Sequence, residues 1–178
     1  YAAQFYVIMH SLSIGIDEDL PRKNQILQLA DSARSFIPET SYIAKMYDWV
    51  RNEYMNSEDK NDWEIVRDSF HDHYIEGGAD GYNYTEFYDC GSNFGFSIIS
   101  LLFGEGDLKR TIQIGTLSGQ DSDNPTATWG GLLGFMYGFD SIQDHFNKYD
   151  FSEYYNINRT RLNFGDTLDT FSDMANRF

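Results

Sequence analysis

The sequence predicts an all-α, multi-helix protein, on three observations. Apolar residues recur at three- and four-residue intervals in segment after segment, no alternating apolar and polar run is long enough for a convincing strand, and glycine, proline or acidic clusters separate the segments. At 178 residues the chain is long enough for one domain with a real core. Neither an internal repeat nor a low-complexity block is present.

The elements follow in order. Phe5, Ile8, Met9 and Leu12 mark a first amphipathic helix ending near Gly15. Asp19 and Pro21 start a second, with Ile26, Leu27, Leu29, Ala30 and Ala33 on its inner side, and Pro38 stops it. Thr40 or Ser41 caps a third through Ile43, Met46, Tyr47, Val50 and Tyr54. The polar stretch from Asn56 to Asp62 is a loop, and Trp63, Val66, Phe70 and Tyr74 line a fourth helix. From Gly77 to Gly91 turn residues and aromatics alternate without a period, which predicts a long loop of the kind that walls functional pockets. Helical patterns resume at Asn93 to Phe103, Asp107 to Leu117 and Pro125 to Tyr137, then more weakly at Ile142 to Tyr149 and Leu168 to Arg177. Residues 1–140 form the core, and 141–178 a helical tail.

Charge narrows the partners. Lys and Arg number 13 against 28 Asp and Glu, a net charge of -15; such a balance repels phosphate backbones and anionic lipid, so nucleic acid and membrane surfaces are excluded as partners. Aromatics at 17% distinguish the chain from acidic disordered sequences. One cysteine, Cys90, rules out an internal disulfide. The longest apolar stretches fall short of the ~18 residues of a transmembrane helix. The text reads as helix from Ala2 with no capping residue before it, which predicts that the chain begins inside a larger fold.

The segment Ser118-Gly119-Gln120-Asp121-Ser122-Asp123-Asn124-Pro125 concentrates the chemistry. Asp121 and Asp123 stand two apart in a loop preceded by glycine, where they can converge on one hard cation, since Mg²⁺ and Ca²⁺ favour carboxylate and hydroxyl oxygens. Read locally, the same two carboxylates simply favour a helix N-terminus. Asn124 reads as the N-cap and Pro125 as the first helical residue. Gly130, Gly134 and Gly138 recur every four residues; each costs about 1 kcal/mol against alanine in a helix, which predicts a face packed closely against a neighbour. Trp129 reads as core.

Gly119, Asp121, Ser122, Asp123, Ala127, Gly131, Leu133 and Gly134 resemble, in order, the C-terminal signature of the ADP-ribosylglycohydrolases. Leu101 to Lys109 and Ile37 to Ser41 resemble the same family, and the likeness spans residues 1–140. It implies an all-α fold holding two Mg²⁺ ions that engage the ribose of ADP-ribose and position a water at the anomeric carbon. Asp121 and Asp123 match the two C-terminal metal ligands, and Asn124 stands where the family usually has Thr or Ser. Asn93 matches a family asparagine near the substrate sugar, with Phe94 beside it to stack on a ring; read locally, Asn93 is equally a helix cap. The family's upstream Thr/Ser-Asp-Asp triplet has no match in residues 1–120. The expected partners are therefore an upstream part of the same polypeptide, which completes the site, and a ribosyl small molecule or modified protein as substrate. The rival expectation is a non-catalytic member serving as an extracellular binding or assembly module.

Smaller features complete the reading. Asp166 or Thr167 caps the last helix. His71 and His73 stand on different faces of a helix and make a poor metal pair. Tyr82, Tyr84 and Tyr88 line either a sugar or adenine site or an interface. Asn83-Tyr84-Thr85 and Asn158-Arg159-Thr160 are glycosylation sequons, which lean towards secretion.

Overall fold

The computed structural model describes residues 1–146, 155–156 and 168–177. Contacts divide it into two units, Tyr1–Tyr137 and Gly138–Phe178. The first contains α1 (Ala2–Ser13), α2 (Arg22–Arg34), α3 (Tyr42–Asn56), α4 (Trp63–Phe70) running into a π-helical turn (His71–Glu76), a 3-10 turn (Ala79–Gly81), α5 (Cys90–Gly104), α6 (Leu108–Leu117) and α7 (Asp123–Tyr137).

α5 is the axis of this unit. Every residue from Ser92 to Gly104 is buried, and α1, α2, α3, α4, α6 and α7 all contact it. A helix that is apolar all round is stable only when surrounded. Ser100 Oγ turns onto the backbone, donating to Ser97 O at 2.8 Å, and the Ser97 carbonyl also accepts from Trp129 Nε1 at 2.8 Å. The buried indole on α7 thereby fixes that helix against α5, as its sequence position predicts. Glycines set how near the neighbours come. A Cβ on Gly95 would lie 1.9 Å from the Phe70 ring, and one on Gly104 would lie 2.0 Å from Thr111 Oγ1.

α3 follows its sequence pattern closely: Ser41 Oγ accepts from Ala44 N at 3.2 Å, and Ile43, Met46, Tyr47, Val50 and Tyr54 are all buried. Elsewhere the structure corrects the expectation. α1 buries Ala2, Phe5, Met9 and Ser13, leaving Leu12 exposed. Asp19 does not cap α2, whose N-cap Pro21 has no side chain to offer; instead Asp17 organises the turn, accepting from Asp19 N through Oδ1 and from Gln25 Nε2 through its carbonyl. The fourth helix widens after Phe70, closing with Gly77 N on Asp72 O at 2.9 Å.

The second unit, taken alone, has α8 (Phe139–His145), β1 (Tyr155–Asn156), β2 (Leu168–Asp169) and α9 (Phe171–Arg177). β1 and β2 pair antiparallel with Tyr155 opposite Asp169, so Leu168 begins a short ladder and the last helix starts only at Phe171. Asp166, Thr167 and Asn158 lie outside the described residues.

Two opposed effects meet in a Gly95→Ala variant. Alanine gains about 1 kcal/mol of helix propensity, but the methyl enters the space of a Phe70 ring that is itself fully buried, an overpacking that costs about 1–3 kcal/mol. The expected outcome is a lower urea midpoint, partly restored by adding Phe70→Leu; a midpoint equal to the parent's would show that α4 and α5 are not locked at this contact.

Candidate functional site

The aspartate loop joins α6 to α7 across the N-terminal end of α5. Ser118 ends α6 with its hydroxyl donating to Ile114 O at 2.7 Å. The chain then turns through two successive left-handed residues, Gly119 (φ +79°) and Gln120 (φ +56°). Such a conformation suits glycine but costs other residues roughly 1–2 kcal/mol. Asp121 is half-buried and Asp123 exposed.

α7 starts at Asp123. Asn124 is therefore not the N-cap and Pro125 not the first helical residue. Both lie in the first turn, where a proline's missing N–H is no loss, and Asn124 N donates to Asp121 O at 3.0 Å. The glycine face is corrected as well. Among the described residues, a Cβ on Gly130 would meet only Ile112, at 4.0 Å, and Gly138 stands beyond the end of α7 with none within 4 Å of where its Cβ would be, chain neighbours aside. α7 turns Trp129, Leu132 and Leu133 inward and leaves Phe135 exposed.

Asn93 and Asp121, both singled out in the sequence, come together. Asp121 N donates to Asn93 Oδ1 at 3.2 Å, while Asn93 Nδ2 donates to Phe87 O at 3.2 Å. Asn93 is 6% exposed and does not cap α5. That role belongs to Asp89, whose Oδ1 accepts from Gly91 N and Ser92 N and from the hydroxyl of the buried Tyr82. Burial and the Asp89 carboxylate push the Tyr82 phenol well above its usual range. Phe94 is core, edge-on to Phe5 at 5.2 Å and fully buried, so its ring has no face open to a sugar or base. Tyr88 is exposed, while Tyr84 Oη donates to Gln120 Oε1 at 3.0 Å, a contact that no local pattern announces.

The Asp123 carboxylate acts on the Asp121 carboxyl. The Asp121 carboxyl is raised above its ordinary 3.8, by desolvation first, then by hydrogen bonding to Asp123 and by the Asp123 charge, with Asn124 acting the opposite way by hydrogen bonding the carboxylate. Paired carboxylate oxygens beside an amide form a donor set of the hard type that suits Mg²⁺. Among the described residues, no group of three or more His, Cys, Asp and Glu side chains stands at metal-binding spacing.

A cleft of about 470 Å³ opens on the preceding residues, Ser118, Gly119 and Gln120. Its other walls are Phe96 from α5, Arg67 and Asp68 from α4, and His71 and Asp72 from the π-helical turn. Arg67 pairs with Asp68 at 2.8 Å and donates to Leu117 O at 3.2 Å, tying α4 to the end of α6. His73, on another face, stacks on Trp49 at 5.5 Å. Asn83 is exposed. No helix of the described residues is long and apolar enough to cross a membrane.

A family profile described as ADP-ribosylglycohydrolase matches residues 1–163. The chain belongs to the ADP-ribosylglycohydrolase family. That membership makes it a hydrolase by class and agrees with its all-α architecture. No curated protein and no solved structure matches it at a significant level.

For this ADP-ribosylglycohydrolase the paired carboxylates carry a pH consequence. Asp121 binds its proton more tightly folded than unfolded, so its contribution to stability falls as pH rises through the raised value, beginning at the ordinary carboxylate range. In metal-free buffer, Asp123→Asn should bring the Asp121 titration part of the way back down and lessen that fall, leaving the share due to desolvation, as carboxyl-carbon NMR across pH would show. An unchanged Asp121 titration would mean that the two side chains do not interact.

Proposed function

We propose that the protein is a metal-dependent glycohydrolase acting on an ADP-ribosyl or related ribosyl glycosidic bond, with Asp121 and Asp123 holding the cation and the Asn124 amide oxygen available as a further ligand. The observation that carries this reading is the pair of carboxylates two residues apart at the start of α7, where the Asp123 charge helps to raise the Asp121 carboxyl. Two like charges held together destabilise an empty loop, and a divalent cation between them turns that repulsion into attraction. Mg²⁺ is the cation of choice for an all-oxygen set. The chemistry it supplies when bound is Lewis acidity, stabilising charge at the sugar hydroxyls and on an attacking oxygen.

The chain's own residues have separate tasks. Asp121 and Asp123 provide negative charge and fix where the sugar hydroxyls are oriented. The cleft beside Gly119 and Gln120 gives the remainder of the substrate a place to lie, with Phe96 at its apolar wall. Octahedral coordination takes about six ligands; the rest come from outside the described residues, and we assign them to the polypeptide upstream of Tyr1, in keeping with a family triplet that this chain lacks. Two ions then share the completed site. Asn83, exposed in its sequon, is a glycan acceptor in a secreted protein.

In the full-length protein, Asp123→Asn should weaken Mg²⁺ binding in calorimetric titration and lower the hydrolysis of ADP-ribosylated substrate by about a hundredfold or more, the rate equivalent of several kcal/mol of lost charge stabilisation. Chelation of the parent should do the same, and Mg²⁺ should restore it. A variant that binds Mg²⁺ and cleaves like the parent would leave the aspartates as helix-terminal residues and favour the non-catalytic scaffold. Independently, the protein expressed through a secretory route should lose mass on treatment with peptide N-glycosidase, and no loss would remove the argument for Asn83 as an acceptor.

A further inference from the structure

We infer that Asn93 and Tyr84 are positioning residues which hold the Gly119–Gln120 turn in its left-handed conformation, and so set where the Asp121 and Asp123 carboxyls point. The inference rests on the metal-binding reading of those aspartates. It assigns Asn93 a different task from the substrate contact that the family resemblance implies.

The argument starts from Gln120. A residue with a Cβ at φ +56° occupies a conformation it leaves unless the surroundings over-determine it. Gly119 before it brings no such help, since no described residue other than its chain neighbours lies within 4 Å of the point a Cβ would occupy. The restraint comes from the first turn of α5 and the segment ahead of it. Tyr84 Oη donates to the Gln120 side chain at 3.0 Å, and one residue further on Asn93 Oδ1 receives the Asp121 N–H at 3.2 Å. The two contacts bracket the turn, one on its last left-handed residue and one on the first aspartate.

Asn93 is itself anchored. It sits in the first turn of α5, the most enclosed helix of the fold, and its Nδ2 donates to Phe87 O at 3.2 Å. At 6% exposure its amide has both ends engaged by backbone, which leaves it directed at the loop rather than at a sugar. Tyr84 belongs to the same clamp, because its segment is tied to α5 through Thr85 Oγ1 on Asp89 Oδ2 at 3.3 Å. Groups that orient a ligand without touching the metal commonly change metal affinity by 10–100-fold when removed.

The test is Mg²⁺ titration of the full-length protein with Asn93→Leu, Tyr84→Phe and Asp123→Asn, alongside urea denaturation of each. Asn93→Leu keeps the branched shape and the number of heavy atoms and deletes both hydrogen bonds; its Mg²⁺ Kd should rise by about 10–100-fold. Tyr84→Phe removes one hydroxyl; its Kd should rise by a smaller factor while its urea midpoint stays at the parent's, a split that a merely structural role would not give. Should Asn93→Leu fail to fold, Tyr84→Phe decides by the same criterion. If Asp123→Asn loses Mg²⁺ but Tyr84→Phe and folded Asn93→Leu bind it like the parent, the clamp is overturned and the metal reading stands. If Asp123→Asn also binds like the parent, both fall together.

Discussion

The enclosure of α5 is the constraint on which the rest depends. A helix buried without a break from Ser92 to Gly104 stays folded only if other helices cover it on every side, and each covering helix must come close enough to leave no void. Gly95 admits Phe70 and Gly104 admits Thr111. The aromatic layer built on Phe70, with Trp49, Tyr74 and Phe96 around it, follows from the first of these. The Trp129 bond to the Ser97 carbonyl follows from the need to give a buried indole N–H a partner. Because α5 is so fully held, its N-terminal end is a fixed point from which Asp89 and Asn93 can organise two loops.

The aspartate loop gathers several unfavourable features in a few residues: a left-handed glutamine, two neighbouring carboxyls of like charge and a helix start without the expected cap. Local disagreement of this kind, inside a fold otherwise consistent with its sequence, sets the loop apart and underlies the proposal that it holds a cation. The contrast with Asp31 is instructive. There a carboxylate is satisfied by the Arg51 guanidinium at 3.0 Å and the Tyr47 hydroxyl at 2.6 Å, and burial together with that carboxylate drives the Tyr47 phenol upward. That cluster pairs opposite charges and ties α2 to α3, leaving Arg51 Nη1 buried without a partner among the described residues. Asp121 and Asp123 answer each other with the wrong sign of charge.

Legibility in the sequence followed the range of the interactions. α3 could be read almost residue by residue, since its cap and its apolar stripe are local. The core position of Trp129 was equally plain. The start of α7 was not, because Asp121, Ser122, Asp123 and Asn124 are all competent near a helix start and only the tertiary hold on the loop selects among them. Spacing placed Gly130 and Gly134 on one face without revealing whether a neighbour approaches it. Conversely, the glycine that matters most for packing, Gly95, has nothing periodic to mark it. The bonds from Asn93 to Asp121 and from Tyr84 to Gln120 join residues 28 and 36 positions apart, beyond any window of local pattern. Family resemblance singled out Asn93 but not the partner to which its amide is committed.

The π-helical turn at His71–Glu76 has a consequence for how this chain tolerates changes in length. A π turn is an α-helix carrying one surplus residue, rare and short because its hydrogen bonds are poorer. Removing a single residue there would let the segment relax into regular α-helix, and everything after it would turn by about 100° about the helix axis. His71 and Asp72 line the cleft while Tyr74, a few residues on, is buried against Phe70. The surplus residue thus sets the phase between the cleft wall and the core. A deletion that would shorten an ordinary loop harmlessly would, at this point, exchange which side chains face the cleft and which face α5.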